Sequence, residues 1–389
     1  MTTLAPVSTA TDLKTHFAAL ADPRDGNAQL HELLDIVIIA ICAAIAGANH
    51  WTEVEAFGQA KESWLRQFLA LPHGIPAHDT FGRVFRYLDP EAFERCFRQW
   101  TQTLSAHLDG EVIAFDGQCL RRSFERCLGK NAIYMVSAWA SRQHLVLGQD
   151  KVAEKSNEIT AIPALLRLLD VEGCIVSIDA IGTQKAIAQQ VVEQGGDYML
   201  ALKENQPHLL EDVQSLFTWA DRIQYEALVH AHCQTVNKGH GRLEIRECWT
   251  ISDPVGLALL ADAAEWADLR TVVRVRAQRR SGDTTTTEDR YYISSLADEG
   301  PRTASHALEA TRSHWGIENR LHWVLDVAFR ADECRVRKDH GAENFAVLRH
   351  IALNLLQRDT QTRLGMHGKR LKAAWDTDYL ARLLEPQMR

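Results

Sequence analysis

The sequence predicts an α/β protein, a mixed sheet with helices on its faces, interrupted by an antiparallel β insertion and preceded by a helical N-terminal domain. Three observations predict it. Apolar residues recur at helical spacing from Asp12 to about His107. At Glu111 the period changes to short apolar runs alternating with helical stretches. After Pro207, β-branched and charge-alternating segments take over until helix returns at Ala304. The expected divisions are 1–107 as the helical domain, 108–206 as the first part of the core, 207–290 as the insertion, and 291–389 as the second part with C-terminal helices.

Each element has its own signal. Leu30, Leu33, Leu34, Val37, Ile38 and Ile41 form a helical stripe, continued by Trp51, Val54, Phe57 and Trp64. Asp79 caps a helix through Val84 and Leu88, and Pro90 separates it from the next. Val112 to Phe115 is a buried-type strand that Asp116-Gly117 is expected to end, and Ile133 to Ala140 and His144 to Gly148 are two more. Helix, strand, helix and strand follow at Asn157–Leu169, Cys174–Ile178, Gln184–Gln194 and Tyr198–Leu202. The insertion contributes a helix, His208 to Trp219, then strands at Leu228–Val236, Arg242–Ile251, Thr271–Gln278 and Thr284–Ser294. Ala304 to Leu356 reads as helix broken at Gly341, with a last helix near Tyr379 to Leu384.

Composition narrows the classes. A chain of 389 residues, 46% hydrophobic and 24% charged, can bury a sizeable core and is not low-complexity. Its 43 basic and 51 acidic residues, net −8, argue against a surface coated with nucleic acid but leave room for basic grooves. Eight cysteines without a CxxC pair suggest neither a disulfide framework nor a zinc ribbon, and His230, His232, Cys233, His240 and Cys248 match no common zinc spacing. Met1 to Asp12 lacks a basic segment followed by an apolar one, and the apolar run Ile36 to Ala46 is short of the roughly 20 residues a bilayer needs. A cytoplasmic protein is the expectation.

The run His314-Trp315-Gly316-Ile317-Glu318-Asn319 sets a histidine and a carboxylate into a tract patterned as a buried amphipathic helix. Burying such a charge costs roughly several kcal/mol unless it is paired, hydrogen-bonded or on a metal, so Glu318 needs partners. Asp116 and Asp179 stand upstream, each after an apolar strand-like run, and neighbouring strands can bring such positions side by side. Three carboxylates from separate elements suit Mg²⁺, a hard ion wanting oxygen ligands. Two such ions about 3.5–4 Å apart can drive in-line displacement at phosphorus. Taken singly, Asp116-Gly117 is a turn and Asp179 a helix cap before Thr183. His322 and Asp326 follow Glu318 on the same helix face, as groups that orient it, as a further ligand, or as an ordinary hydrogen-bonded network.

These residues carry a resemblance. Ile113-Ala114-Phe115-Asp116-Gly117, Ile178-Asp179-Ala180, Tyr292-Ile293-Ser294-Ser295-Leu296 and His314-Trp315-Gly316-Ile317-Glu318-Asn319-Arg320-Leu321-His322-Trp323 together resemble the DDE transposases of bacterial insertion sequences. The branch is the one containing the H-repeat-associated proteins, and the likeness covers essentially the whole chain, Lys203-Glu204-Asn205-Gln206 included. It implies a ribonuclease H-like core with a β-strand insertion, and a metal-binding triad of Asp116, Asp179 and Glu318 that takes Mg²⁺ or Mn²⁺, two ions per site. It also implies hydrolysis of a phosphodiester at the element boundary, then attack of the freed 3′-hydroxyl on target DNA. The implied partner is double-stranded DNA, gripped by a homodimeric synaptic complex, with no membrane and with nucleoid association when active. A catalytically dead DNA-binding regulator and a plain ribonuclease H-like nuclease are the rival readings.

One departure stands out. Where related transposases frame the third carboxylate with tyrosine, arginine and lysine, this chain has Thr311, His314 and Leu325, leaving His314, Arg320 or Lys338 as substitutes. Other candidate DNA contacts lie in basic clusters. Arg121, Arg122 and Arg126 follow Asp116; Arg274, Arg276, Arg279 and Arg280 stand on the insertion; Arg330, Arg335, Arg337 and Lys338 follow the Glu318 helix; Lys369, Arg370 and Lys372 lie near the end. Lys203 and the hairpin tip of Lys238 and Arg242 complete the set, with solvated faces as the plain alternative. End recognition is expected of the N-terminal helices.

Overall fold

The computed structural model describes residues 10–25, 29–105, 108–120, 133–152, 158–239 and 242–384. Five helices come first: α1 (Ala10–Phe17), α2 (Leu33–Ile45), α3 (Trp51–Leu65), α4 (His78–Tyr87) and α5 (Pro90–Leu104). α2 is apolar on every side, and Asp35 through Ile45 are all buried. α5 opens with Pro at its first position, where no intrahelical donor is needed, and Asp89 caps it by accepting from the Glu91 N–H at 3.0 Å.

The core follows as β1 (Val112–Leu120), β2 (Ile133–Ala140), β3 (Leu145–Val152), α6 (Glu158–Leu166), β4 (Ile175–Ile178), α7 (Lys185–Glu193), β5 (Asp197–Leu202) and α8 (Pro207–Arg222). Then come β6 (His230–Gly239), β7 (Arg242–Ile251), a short α9 (Pro254–Leu257), β8 (Thr271–Ser281) and β9 (Thr284–Ser294). One nine-stranded sheet holds them all, in the order β3-β2-β1-β4-β5-β9-β8-β7-β6. β1 to β3 form an antiparallel meander, and β4 and β5 run parallel to β1, which is the ribonuclease H-like arrangement. β9 pairs antiparallel with β5 from Met199–Ser294 to Leu202–Tyr291, so the insertion strands continue the core sheet rather than forming a separate one. One correction concerns β1, which runs on to Leu120. Asp116-Gly117 therefore lies within the strand, because Gln118 to Leu120 keep pairing with β2.

Side-chain alternation gives the sheet two buried faces. Ile113, Phe115, Val176, Ile178 and Leu200 pack with α6, α7 and α8. On the other face, Val112, Met199, Val273 and Tyr292 meet Ala304, Ala307 and Leu308 of α10 (Pro301–Ile317), while Ala114, Trp139 and Val146 meet the remaining helices. After α10 come a π-helical turn (Glu318–His322), α11 (Trp323–Ala328), α12 (Gly341–Arg358), α13 (Met366–Trp375) and α14 (Thr377–Leu384). Gly341 opens α12 rather than breaking a longer helix, and α13 has no counterpart among the expected elements. Sixteen of the eighteen residues of α12 are buried, because it threads between the sheet and the N-terminal helices.

Helices from the two ends of the chain share one core, from Leu13 to Trp100 and from Ile317 to Leu384. Arg370 helps to join them. Its guanidinium is buried over the Phe329 ring at 4.0 Å and donates to the carbonyls of Ala328, Ala44 and Ala48, the last two at the C-terminal end of α2. Lys369 is buried too, on the carbonyls of Leu356 and Asp359, so neither belongs to a solvated basic face. The seven described cysteines are free, and no described helix is long and apolar enough to cross a membrane.

Candidate active site

Asp116 and Asp179 are brought together by strand register. Phe115 pairs with Ile178 across the parallel β1–β4 ladder, so the next residue on each strand is one of these aspartates. Asp116 points to the same face as Ala114, toward α10 and α11, and the Gly117 N–H donates to its Oδ1 at 2.9 Å. Asp179 turns the chain out of β4, its Oδ1 accepting from the N–H groups of Ile181 and Gly182 at 3.0 and 3.3 Å. Gly182 is required there, since a Cβ would stand 2.2 Å from Ile178 Cγ2. Lys203-Glu204-Asn205-Gln206 braces the same turn: Asn205 donates to the Ala180 carbonyl and Gln206 to that of Thr183.

Glu318 arrives from the opposite side, where α10 loosens into the π-helical turn, a feature common at functional sites. Histidines bracket it. His314 contacts the Ser177 backbone on β4, and His322 Nδ1 lies 3.4 Å from Asp116 Oδ2 over β1. His314 Nδ1 and His322 Nε2 are enclosed without a hydrogen-bond partner. Asp326 accepts from Gln118 Nε2 at 2.8 Å, two residues beyond Asp116, which makes it a support for β1.

Electrostatics sets this cluster apart. The Asp116 carboxyl is pushed up to about 7, first by burial and then by the charges of Asp179, Glu318 and Glu158, with the Gly117 N–H opposing. Burial pushes His322 down to about 4, with His314 adding to it, and lowers His314 despite Asp179. Glu158 is the further carboxylate of this cluster that sequence reasoning missed. It is buried against Gly117, whose missing Cβ would stand 2.3 Å from its Oε1. Topology was the available signal: β3 runs parallel to β1, so the helix after β3 starts at the end of the sheet to which β1 carries Asp116.

Among the described residues, no lysine or arginine forms an ion pair with Asp116, Asp179 or Glu318. Nor do any three described His, Cys, Asp or Glu side chains close round one point as metal ligands do. Among the described residues the donor set of Asp116, Asp179 and Glu318 is nevertheless carboxylate oxygen with no lysine or arginine paired to it, the chemistry that suits Mg²⁺ or Mn²⁺.

Comparison with known proteins decides the family. Residues 14–101 match the family described as DDE_Tnp_1-associated, and residues 107–355 match the Transposase DDE domain. The chain belongs to the DDE transposase family. Its relatives point to the branch of the H-repeat-associated proteins: "H repeat-associated putative transposase YhhI" of Escherichia coli K12 is 39% identical over 379 residues, 96% of this chain and 97% of that one. An uncharacterized protein in the dhlA 3′ region of Xanthobacter autotrophicus is 44% identical over 287 residues, covering 72% and 94%. A cryo-EM structure of the piggyBac transposase synaptic complex with hairpin DNA superposes loosely, with TM-score 0.41 and 10% identity over 100% of this chain and 80% of that one.

The basic residues singled out in the sequence divide sharply. Arg274 is 3% exposed, bidentate to Asp221 at 2.7 and 2.9 Å and sandwiched against Trp249 and Phe217. It is a core residue, not a surface contact. Arg276 is clamped on Asp289 by two bonds of 2.7 Å. Arg320 sits on the His144 ring. Lys203 is exposed near His314, Lys238 and Arg242 are exposed on the β6–β7 hairpin, and Arg335 and Lys338 are exposed beyond α11, with Arg337 half-buried. Arg121, Arg122 and Arg126 lie outside the described residues, as does His240. Thr311 and Leu325 are 3% and 4% exposed, so the family's tyrosine and lysine positions are core positions here.

Proposed function

We propose that the chain is a working DNA transposase, cutting at the ends of its own insertion element and joining the freed 3′-hydroxyl to target DNA. The observation that carries this reading is that Asp116, next to Asp179 at the end of the β1–β4 ladder, feels the charges of Asp179 and Glu318, with no lysine or arginine among the described residues paired to any of the three. Uncompensated carboxylates at such a site are costly, and divalent cations relieve that cost.

In this reading Asp116 and Asp179 are the strand-fixed ligands, held by backbone N–H bonds, and Glu318 completes the site from the helix. Two bound Mg²⁺ or Mn²⁺ ions would supply Lewis-acid activation of the attacking hydroxyl and of the leaving oxygen. His322 keeps Asp116 in its rotamer, and Asp326 steadies β1 through Gln118. Lys203 is free to meet a phosphate beside Asp179. The N-terminal helices read the element end. The protein acts as a homodimer on double-stranded DNA in the cytoplasm, associated with the nucleoid when active.

The test is cleavage of labelled element-end DNA in Mn²⁺ by Asp116→Asn, Asp179→Asn and Glu318→Gln. Each should lose cleavage by about a thousandfold or more while keeping DNA affinity and melting behaviour, since each swap is isosteric. Ca²⁺ should support binding without cutting. Cleavage surviving in any variant removes that residue from the site, and cleavage in EDTA overturns the metal reading.

A further inference from the structure

Cys233 and Cys248 stand directly opposite each other on the β6–β7 ladder, so both side chains project to one face of the sheet. That face is the one packed on α10. Cys248 is fully buried among Val273, Val275, Tyr292, Ala304 and Leu308, and Cys233 packs at the margin of the same cluster. Among the described residues no other two cysteines face each other across a strand ladder.

The two differ in access and in acidity. Cys233 is half-buried and lines a cavity of about 540 Å³ between α10 and the ribbon, together with Ser141, Thr235 and Ser305. Cys248 has no exposed surface. The Cys248 thiol, donating toward the Cys233 sulfur, holds Cys233 below the usual thiol range against the opposing pull of burial. The same contact, with burial, holds Cys248 well above that range. A reachable thiol that ionises more readily, backed by an enclosed one, is the arrangement of an attacking and a resolving sulfur.

Backbone geometry permits a bond between them. Residues directly opposite on antiparallel strands have Cα atoms about 4.5–5.5 Å apart, within the span of about 4.4–6.8 Å that a disulfide bridges. Their Cβ atoms, also about 4.5–5.5 Å apart, must draw in to roughly 3.5–4.5 Å, so the bridge is strained and easily reduced.

We propose that Cys233 and Cys248 are a reversible oxidation site, which a small-molecule disulfide closes into a bridge between β6 and β7. The Cys233 thiolate attacks one sulfur of the reagent, forming a mixed disulfide and expelling a small thiolate, which takes up the proton that Cys233 released. Cys248 then gives up its proton and attacks the Cys233 sulfur, breaking the mixed disulfide and expelling the second small thiol. Two protein thiols lose two electrons, and one small disulfide becomes two thiols. β6 is the outermost strand at its end of the sheet, so the bridge ties a free edge to its neighbour beside α10. The site makes no use of the carboxylate cluster and is independent of the transposase reading.

The test incubates the folded full chain with glutathione disulfide, then digests it with trypsin for mass spectrometry. Two of the eight thiols should disappear, in one pair of peptides joined through Cys233 and Cys248 and lighter by two hydrogens, and dithiothreitol should restore both. Cys248→Ala should stop at a mixed disulfide on Cys233, and Cys233→Ala should leave Cys248 unmodified. Should Cys248→Ala fail to fold, the native chain and Cys233→Ala carry the test. Cys233 and Cys248 both remaining free thiols overturns the proposal, as does a mixed disulfide on Cys233 that persists in the native chain. Cys42 and Cys174 are fully buried, so their oxidation alongside the pair would mean that the reagent reacts with unfolded chain, which overturns it as well.

Discussion

Glu94 holds the clearest pH response at the level of single residues. It lies under β3, accepts from the Gln149 N–H at 2.9 Å, and is 8% exposed. Burial pushes its carboxyl from 4.5 up to about 8, against the pull of that N–H and of Arg98. A carboxyl whose folded pKa is raised lends stability that is whole below about pH 4.5 and is lost as the pH climbs to about 8. Glu94→Gln keeps the acceptor and removes the titration. It should match the native chain near pH 5 and exceed it by about 2–4 kcal/mol near pH 9, read from denaturant melts. A gap that does not change with pH would rule out an ionising Glu94. Asp116, Asp179 and Glu318 were readable in the sequence because each interrupts or ends an apolar run. Glu94 was not, because a carboxylate on a helix full of charges looks solvated until the packing of the neighbouring strand is known, and Glu158 was not, because an acidic residue in a helix's first turn has an ordinary solvated reading.

At the scale of elements, α12 helps to close the edge of the sheet with a single side chain. β3 is an edge strand, and Asn354 on α12 accepts from the Val146 N–H at 2.8 Å and donates to the Val146 carbonyl at 2.9 Å. The amide thus stands in for a neighbouring strand at one position. Asn354→Leu has similar bulk but leaves both backbone groups buried and unpaired, so it should cost about 2–4 kcal/mol in equilibrium unfolding. A loss below about 1 kcal/mol would mean that water replaces the amide. The periodicity of the ribbon located its strands well, and β7 and β9 match their expected bounds. What alternation could not reveal is where a strand meets a helix. Arg274 had the pattern of an outward cation, but α8 lies against that face and supplies Asp221 and Phe217.

For the whole molecule, the shared core of the two chain ends has a direct consequence for truncation. Removing residues 1–104 takes away α1 to α5 and uncovers Phe345, Leu348, Ile351 and Leu355 of α12. The remainder, although it contains all three candidate carboxylates, should bind a hydrophobic dye and lose its cooperative melt. A sharp melt in the truncated chain would show that the core divides. This long-range sharing was invisible to periodicity, which marks a buried face without naming its partner. Arg370 illustrates the point: its acceptors Ala44 and Ala48 lie more than 300 residues away along the chain.

The unbroken nine-stranded sheet makes the molecule stiff along its length. β9 is at once a member of the ribbon and the immediate neighbour of β5, so the ladder of backbone bonds passes from hairpin tips to the strands that lead into Asp179 and Asp116 with no linker between. A ribbon joined in this way cannot swing as a flap without tearing that ladder. It behaves as a lever arm: a load applied near Gly239 or Gly282 is carried through the sheet to the strand that leads into Asp179, whereas Glu318 hangs from a π-helical turn outside that ladder.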